Sequence, residues 1–204
     1  RVTSTIAVHR QPVSIDVNAE GTRAYVTNSG SNIVSVLDLA TRRQIATVGV
    51  GESPADPRIS PDGNTLVVPN RGGNSVSIVD AHTLTVRAVF TGCPRASDAV
   101  ILPDSSKAFV ACSGSHQVLA ISLARPRSDL PEDHADRLLD LLDVGPQPIH
   151  LALKPDGGEI FVSNFGTDTI SEIATNNNEV GWSYMIGLHP WGGEVSADNS
   201  TLWV

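Results

Sequence analysis

The chain has 204 residues, with 14 Lys and Arg against 22 Asp and Glu, a formal charge of −8 at pH 7. That surplus of carboxylates excludes a nucleic-acid binder, whose phosphate contacts need clustered Lys and Arg, and no apolar run approaches the ~18 residues of a membrane-crossing helix. Apolar residues at 40% supply a core, while 17 Gly and 13 Pro among many Asn, Ser and Thr mark frequent turns, the composition of an all-β globular chain.

In chain order, the first apolar run is Ile6-Ala7-Val8, standing 42 residues ahead of Val48-Gly49-Val50. Pro12 to Asn18 then alternates apolar and polar residues, the pattern of a half-buried strand. Ala19-Glu20-Gly21-Thr22 supplies a turn in which Gly21 is free to adopt positive φ. Ala24 to Thr27 is a second strand, the loop 28–32 a hairpin, Ile33 to Leu39 a third strand, and Gln44 to Val50 a fourth. Val, Ile, Thr and Tyr fill these runs, as pleated surfaces favour.

The unit repeats. Ala19-Glu20-Gly21 recurs as Pro61-Asp62-Gly63, Pro103-Asp104-Ser105, Pro155-Asp156-Gly157 and Ala197-Asp198-Asn199. Four residues beyond each stand Tyr25, Val67, Phe109, Phe161 and Trp203, spaced 42, 42, 52 and 42 apart. Four antiparallel strands in a period of about 42 residues, with no helical periodicity inside it, is the arithmetic of a β-propeller. The expected organisation is a single domain over 1–204, with four-stranded blades at roughly 10–51, 52–93, 94–145 and 146–187. Residues 1–9 are expected to be the last strand of a preceding blade and 188–204 the first two strands of another. The third blade carries ten extra residues within 124–137, expected to be a surface loop. With four full blades and two fragments, the remaining blades of the ring are expected to lie outside this chain, as is any targeting segment.

Equivalent positions can then be compared across blades. The start of each innermost strand holds Ser14, Asp56, Asp98, His150 and Gly192, and two residues on come Asp16, Arg58, Val100, Ala152 and Glu194. This change of chemistry at a structurally repeated place has two readings. Asp56, Asp98 and His150 could converge at the channel mouth around a divalent cation or polar ligand, or for proton transfer, with Arg58 on an anionic group. Alternatively, each caps backbone locally or is simply solvated. Trp191, beside Pro190, is a further candidate contact at the mouth. No cofactor is required by any motif: HExxH, GxSxG and Walker sequences are absent, and Gly49-Val50-Gly51 closes a strand instead of opening a helix. Cys93 and Cys112 are expected at one end of the third blade, either as a disulfide or as two buried thiols. Cys112 with His116 lacks a second ligand pair for a metal site. The acids around His134 in 131–136 could hold a cation or be a solvated insertion.

Tyr25-Val26-Thr27-Asn28, followed by the run from Gly30 to Thr41, resembles the YVTN-family (YncE-like) β-propeller repeat. Weaker copies are Val67-Val68-Pro69-Asn70, Phe109-Val110-Ala111-Cys112 and Phe161-Val162-Ser163-Asn164. The resemblance implies a closed ring of more blades, and export to the bacterial periplasm or cell surface. It implies a secreted or surface binding or scaffold module that recognises a protein, glycan or small ligand through its loop face. The competing implication is an enzyme of lactonase or lyase type, or a quinoprotein relative, acting at the channel mouth. Fold by itself does not choose between them.

Overall fold

A computed structural model describes residues 2, 4–124 and 135–204, and these contain no α-helix. The first blade is β1 (Pro12–Val17), β2 (Arg23–Asn28), β3 (Ile33–Asp38) and β4 (Arg43–Gly49). The second is β5 (Arg58–Ile59), β6 (Thr65–Asn70), β7 (Ser75–Asp80) and β8 (Thr85–Thr91). The third is β9 (Ala96–Ile101), β10 (Lys107–Cys112), β11 (Gln117–Ser122) and β12 (Arg137–Asp143). The fourth is β13 (Pro148–Leu153), β14 (Glu159–Asn164), β15 (Thr169–Ala174) and β16 (Glu179–Met185), after which β17 (Glu194–Val195) and β18 (Leu202–Trp203) begin another. Each blade is an antiparallel meander in sequence order. The protein is an all-β propeller with four complete blades. No helix among the described residues is long and apolar enough to cross a membrane.

The turn signature works through one backbone requirement. Gly21, Gly63, Ser105, Gly157 and Asn199, the third residue of each turn, all have positive φ, between 60° and 76°. In four of the turns the preceding Asp (62, 104, 156 or 198) accepts the N–H two residues on, at 2.8–3.1 Å. Gly and Asn tolerate this conformation and the Asp side chain closes it, so the pair recurs wherever the chain reverses between first and second strands.

The core lies between blades. Tyr25, Val34 and Val36 of the first blade pack with Leu66, Val68 and Val79 of the second. Val67, Val76 and Ile78 pack with Ile101, Val110 and Leu119, and Phe109 and Val118 with Leu151, Ile160 and Val162. The second and third blades thus bury one face against the blade before and one against the blade after. The first strands adjoin in series, β1 beside β5, β5 beside β9, β9 beside β13 and β13 beside β17, and so form the wall of the channel.

Two local expectations change. Residues 4–9 form no strand: with no ladder alongside, Ile6 and Val8 are held by apolar contact with Ala24, Val26 and Leu37. In the second blade the innermost strand shrinks to Arg58–Ile59 plus an isolated bridge from Pro54 to Asn70. Pro54 and Pro57 have no N–H to give a ladder, so Asp56 lies in irregular chain ahead of β5. Most of the insertion, including Glu132, Asp133 and His134, lies outside the described residues. Near its end, Asp136 has its side chain covered, accepts the Ala124 N–H and pairs with Arg87 of the second blade through two bonds of 2.7 and 2.9 Å.

Candidate functional site

The mouth of the channel is built from three repeated places. Ser29, Arg71, Ser113 and Phe165 directly follow the second strand of each blade. Gln11, Ser53, Arg95, Gln147 and His189 precede each first strand, and all five are non-glycine residues with φ between 49° and 54°. These two places are bound together: the N–H of Ser29, Arg71 and Phe165 donates to the carbonyl of Gln11, Ser53 and Gln147 at 2.9–3.0 Å, and the Ser113 hydroxyl to the Arg95 carbonyl at 2.8 Å. A latch from the preceding blade completes the frame, with Asn32, Asn74 and Asp168 accepting the N–H of Ser53, Arg95 and His189 at 2.8–3.0 Å. The third place is a register shift near the start of the first strand, where a bulge re-aims the backbone. Ser97 and Ile149 sit at such shifts, with Ala55 at the matching position.

Two adjoining clefts open here. One, of about 210 Å³, is lined by Asp56, Arg71, Ser97, His150 and Trp191 among others. The second, of about 260 Å³, shares Arg71, Ser113, Ile149 and Trp191 and adds Arg95, Gln147 and Phe165. The arginines of the second and third blades share this lining with an aromatic group. His189 stacks on Phe165 with ring centroids 4.6 Å apart, and Trp191 meets the Phe165 ring in a T-shaped contact at 5.8 Å and 81°.

Beneath the mouth, Asp98 is 2% exposed and its carboxylate is fully engaged. Oδ1 accepts from the Ala99 N–H at 2.8 Å and from Arg58 Nη2 at 3.2 Å; Oδ2 accepts from the Leu151 N–H and from His150 Nδ1, both at 3.0 Å. Arg58 also donates through Nε to the Ala99 carbonyl at 2.9 Å. The other ring nitrogen of His150 lies 2.9 Å from the Gly193 carbonyl, which can only accept. With an acceptor at each ring nitrogen, the arrangement favours the imidazolium form, in which both nitrogens donate. The Asp98 hydrogen bond accordingly raises the His150 pKa above its ordinary value, against an opposing effect of burial. Asp16 makes the same blade-to-blade stitch one layer away, accepting the Val17 N–H and, across the interface, the Ile59 N–H at 2.9 and 2.8 Å.

Of the residues singled out from the sequence, Arg58, Asp98 and His150 meet in one hydrogen-bonded cluster, whereas Asp56, His150 and Trp191 share the cleft above it. Four lone-pair directions on Asp98 filled by four donors leave no position for a cation, and among the described residues no three His, Cys, Asp or Glu side chains are grouped as metal ligands. Cys93 and Cys112 form a disulfide, with Cα atoms 4.9 Å apart. Arg71, Arg95 and Phe165 carry no sequence motif. Comparison of their repeat-equivalent positions, where Arg replaces Ser or Gln, is the signal that could have found them.

No family model matches the chain, and no curated protein matches it by sequence. Solved structures do match in fold. A protein of unknown function from Desulfotomaculum acetoxidans DSM 771 superposes with a TM-score of 0.81 at 17% identity, over 96% of this chain and 62% of its own. The Cps50 (Swd1) β-propeller domain of Myceliophteria thermophila gives 0.80 at 13% identity, over 99% of this chain and 63% of that one. The dihydro-heme d1 dehydrogenase NirN gives 0.70 at 19% identity, over 91% and 38%. This chain thus spans less than two thirds of each of these neighbours, and what it shares with them is the β-propeller fold.

Proposed function

We propose that the protein is a non-catalytic binding module, a YVTN-type propeller of an exported or cell-surface protein, that recognises its ligand through the loop face at the channel mouth. The observation that carries this reading is the division of labour between two layers. In the lower layer Asp98, His150 and Arg58 spend their hydrogen bonds joining the third blade to its neighbours. In the upper layer Arg71 and Arg95 stand on a latched backbone beside Asp56 and Trp191, and Arg71, Arg95 and Trp191 differ in chemistry from their repeat equivalents. A rigid ring with variable side chains at its rim suits recognition. An acid–base pair whose protons are all committed to structural acceptors does not suit catalysis.

A ligand screen by thermal shift tests the reading, using small metabolites, saccharides and short peptides on the parent chain and on Arg71→Ala and Trp191→Ala. Compounds that stabilise the parent are expected to lose their effect on both variants and to remain chemically unchanged by NMR after prolonged incubation. Hits that stabilise the variants equally, or that are converted to product, would overturn it.

A further inference from the structure

We infer that the mouth cleft takes a small aromatic carboxylate, its anionic group held between Arg71 and Arg95 and its ring against Trp191 and Phe165. This rests on the binding-module reading above and names a ligand class for it.

The two guanidiniums are the starting point. Arg71 and Arg95 are exposed side chains of successive blades lining one cleft of about 260 Å³. Their backbone groups are used in the latch, but neither guanidinium has a hydrogen-bond or ion-pair partner among the described residues. The scaffold does not need them, since the same backbone roles are filled by Ser29 and Phe165 in one ring of positions and by Gln11, Ser53 and Gln147 in the other. Two unpaired cations facing one cleft repel each other until an anion lies between them, and the planar fork of Arg matches a carboxylate through paired N–H donors.

The acid nearby limits the ligand's charge. Asp56 lines the adjoining cleft together with Arg71 and has no hydrogen-bond partner for its carboxylate among the described residues. It disfavours a second anionic group at that end, so one carboxylate placed toward Arg95 satisfies the cleft.

The aromatic part of the lining selects the body. Trp191 is 77% exposed. It touches Phe165 in a perpendicular contact and otherwise stands largely open to solvent, while the Phe165 ring is stacked on His189. Offset stacking on an open indole favours a planar ring, and a cleft of this volume accommodates one or two fused rings.

The test is a calorimetric titration of the 204-residue chain with 2-naphthoate and with its neutral isostere 2-naphthamide. Expected is saturable naphthoate binding, weaker by roughly tenfold or more for the amide and for the Arg71→Gln/Arg95→Gln variant, because charge-assisted pairs are lost in each case. Trp191→Ala should weaken both compounds alike. The double-Gln variant keeps every backbone latch, so its circular dichroism and melting temperature should match the parent. Equal binding of acid and amide, or undiminished naphthoate binding by a folded double-Gln variant, would overturn the assignment. So would an absence of saturable naphthoate binding in the millimolar range. If other compounds still bind at the cleft in the screen above, the ligand class alone fails; if none does, the binding-module reading fails with it.

Discussion

At the residue scale, His150 links proton uptake to folding. Its interacting partners are the Asp98 carboxylate, the Gly193 carbonyl and, more distantly, the Arg58 guanidinium, while Asp56 and Glu194 line the clefts it faces. The first two favour the imidazolium and the third opposes it, with the Asp98 bond prevailing. A histidine whose pKa is raised on folding stabilises the native state fully below its unfolded value of about 6.5, and the contribution disappears as pH rises through the folded value. The melting temperature of the parent should therefore exceed that of His150→Gln most at mildly acidic pH, with the gap narrowing on the alkaline side. A gap independent of pH would show that the imidazole acts only by shape. Asp98 is the more severe position: Asp98→Ala removes an anion that is 2% exposed and leaves four donors without an acceptor. A loss of roughly 3 kcal/mol or more in urea unfolding is expected, and a loss within that of an ordinary surface change would contradict the account of the cluster.

At the element scale, the disulfide replaces a packing motif. In the second and fourth blades, Gly51 and Gly145 lie so close to Asn70 and Asn164 that an added Cβ would stand 2.5 and 2.6 Å from the Asn Cγ. Those Asn residues tie down the following hairpin through Ser75 and Ser77, or Thr169 and Ser171, yet each leaves a buried Oδ1 without a partner. In the third blade the same two places are Cys93 and Cys112, covalently joined. The repeat thus predicts that Cys93→Gly/Cys112→Asn folds, with stability lowered by up to about 3 kcal/mol for the loss of a cross-link of this loop size. Cys112→Asn alone should be worse than the double variant, because its amide would meet the Cβ of Cys93. Equal urea midpoints for the single and double variants would show that the third blade has abandoned the repeat geometry.

At the scale of the whole molecule, packing between blades leaves the two outermost faces without partners. Val13 and Ile15 of β1 are each 55% exposed, and Trp182, Met185 and Trp203 at the other end are more so. The repeat equivalents of Ile15, namely Pro57, Ala99 and Leu151, are buried, and contiguous apolar surface beside open sheet edges promotes association. Light scattering on the isolated 204-residue chain should give a mass above 21.5 kDa that rises with concentration, and Trp182→Lys with Ile15→Lys should lower it. A strictly monomeric chain at all concentrations would show that these faces are not adhesive.

Much of this was legible in the sequence. The turn tripeptide and the apolar position four residues beyond it record backbone demands that each blade meets separately: a left-handed residue, an Asx closure and an alternating strand. Local requirements of that kind repeat with the chain, so the period, the strand order and the complete blades within these 204 residues could be read from residues alone. The channel chemistry could not. Asp98 and His150 occupy equivalent places in successive blades, and the sequence puts them at the mouth together with Asp56. The bulge, however, turns Asp98 beneath it, where four donors from three blades claim its carboxylate. Arg71 and Arg95 sit 24 positions apart with no motif joining them. Only the closure of β6 and the start of β9 onto one rim makes them neighbours. Contacts within a blade follow from spacing along the chain; contacts across blades depend on how neighbouring sheets pack, and that was decided by the buried faces between them.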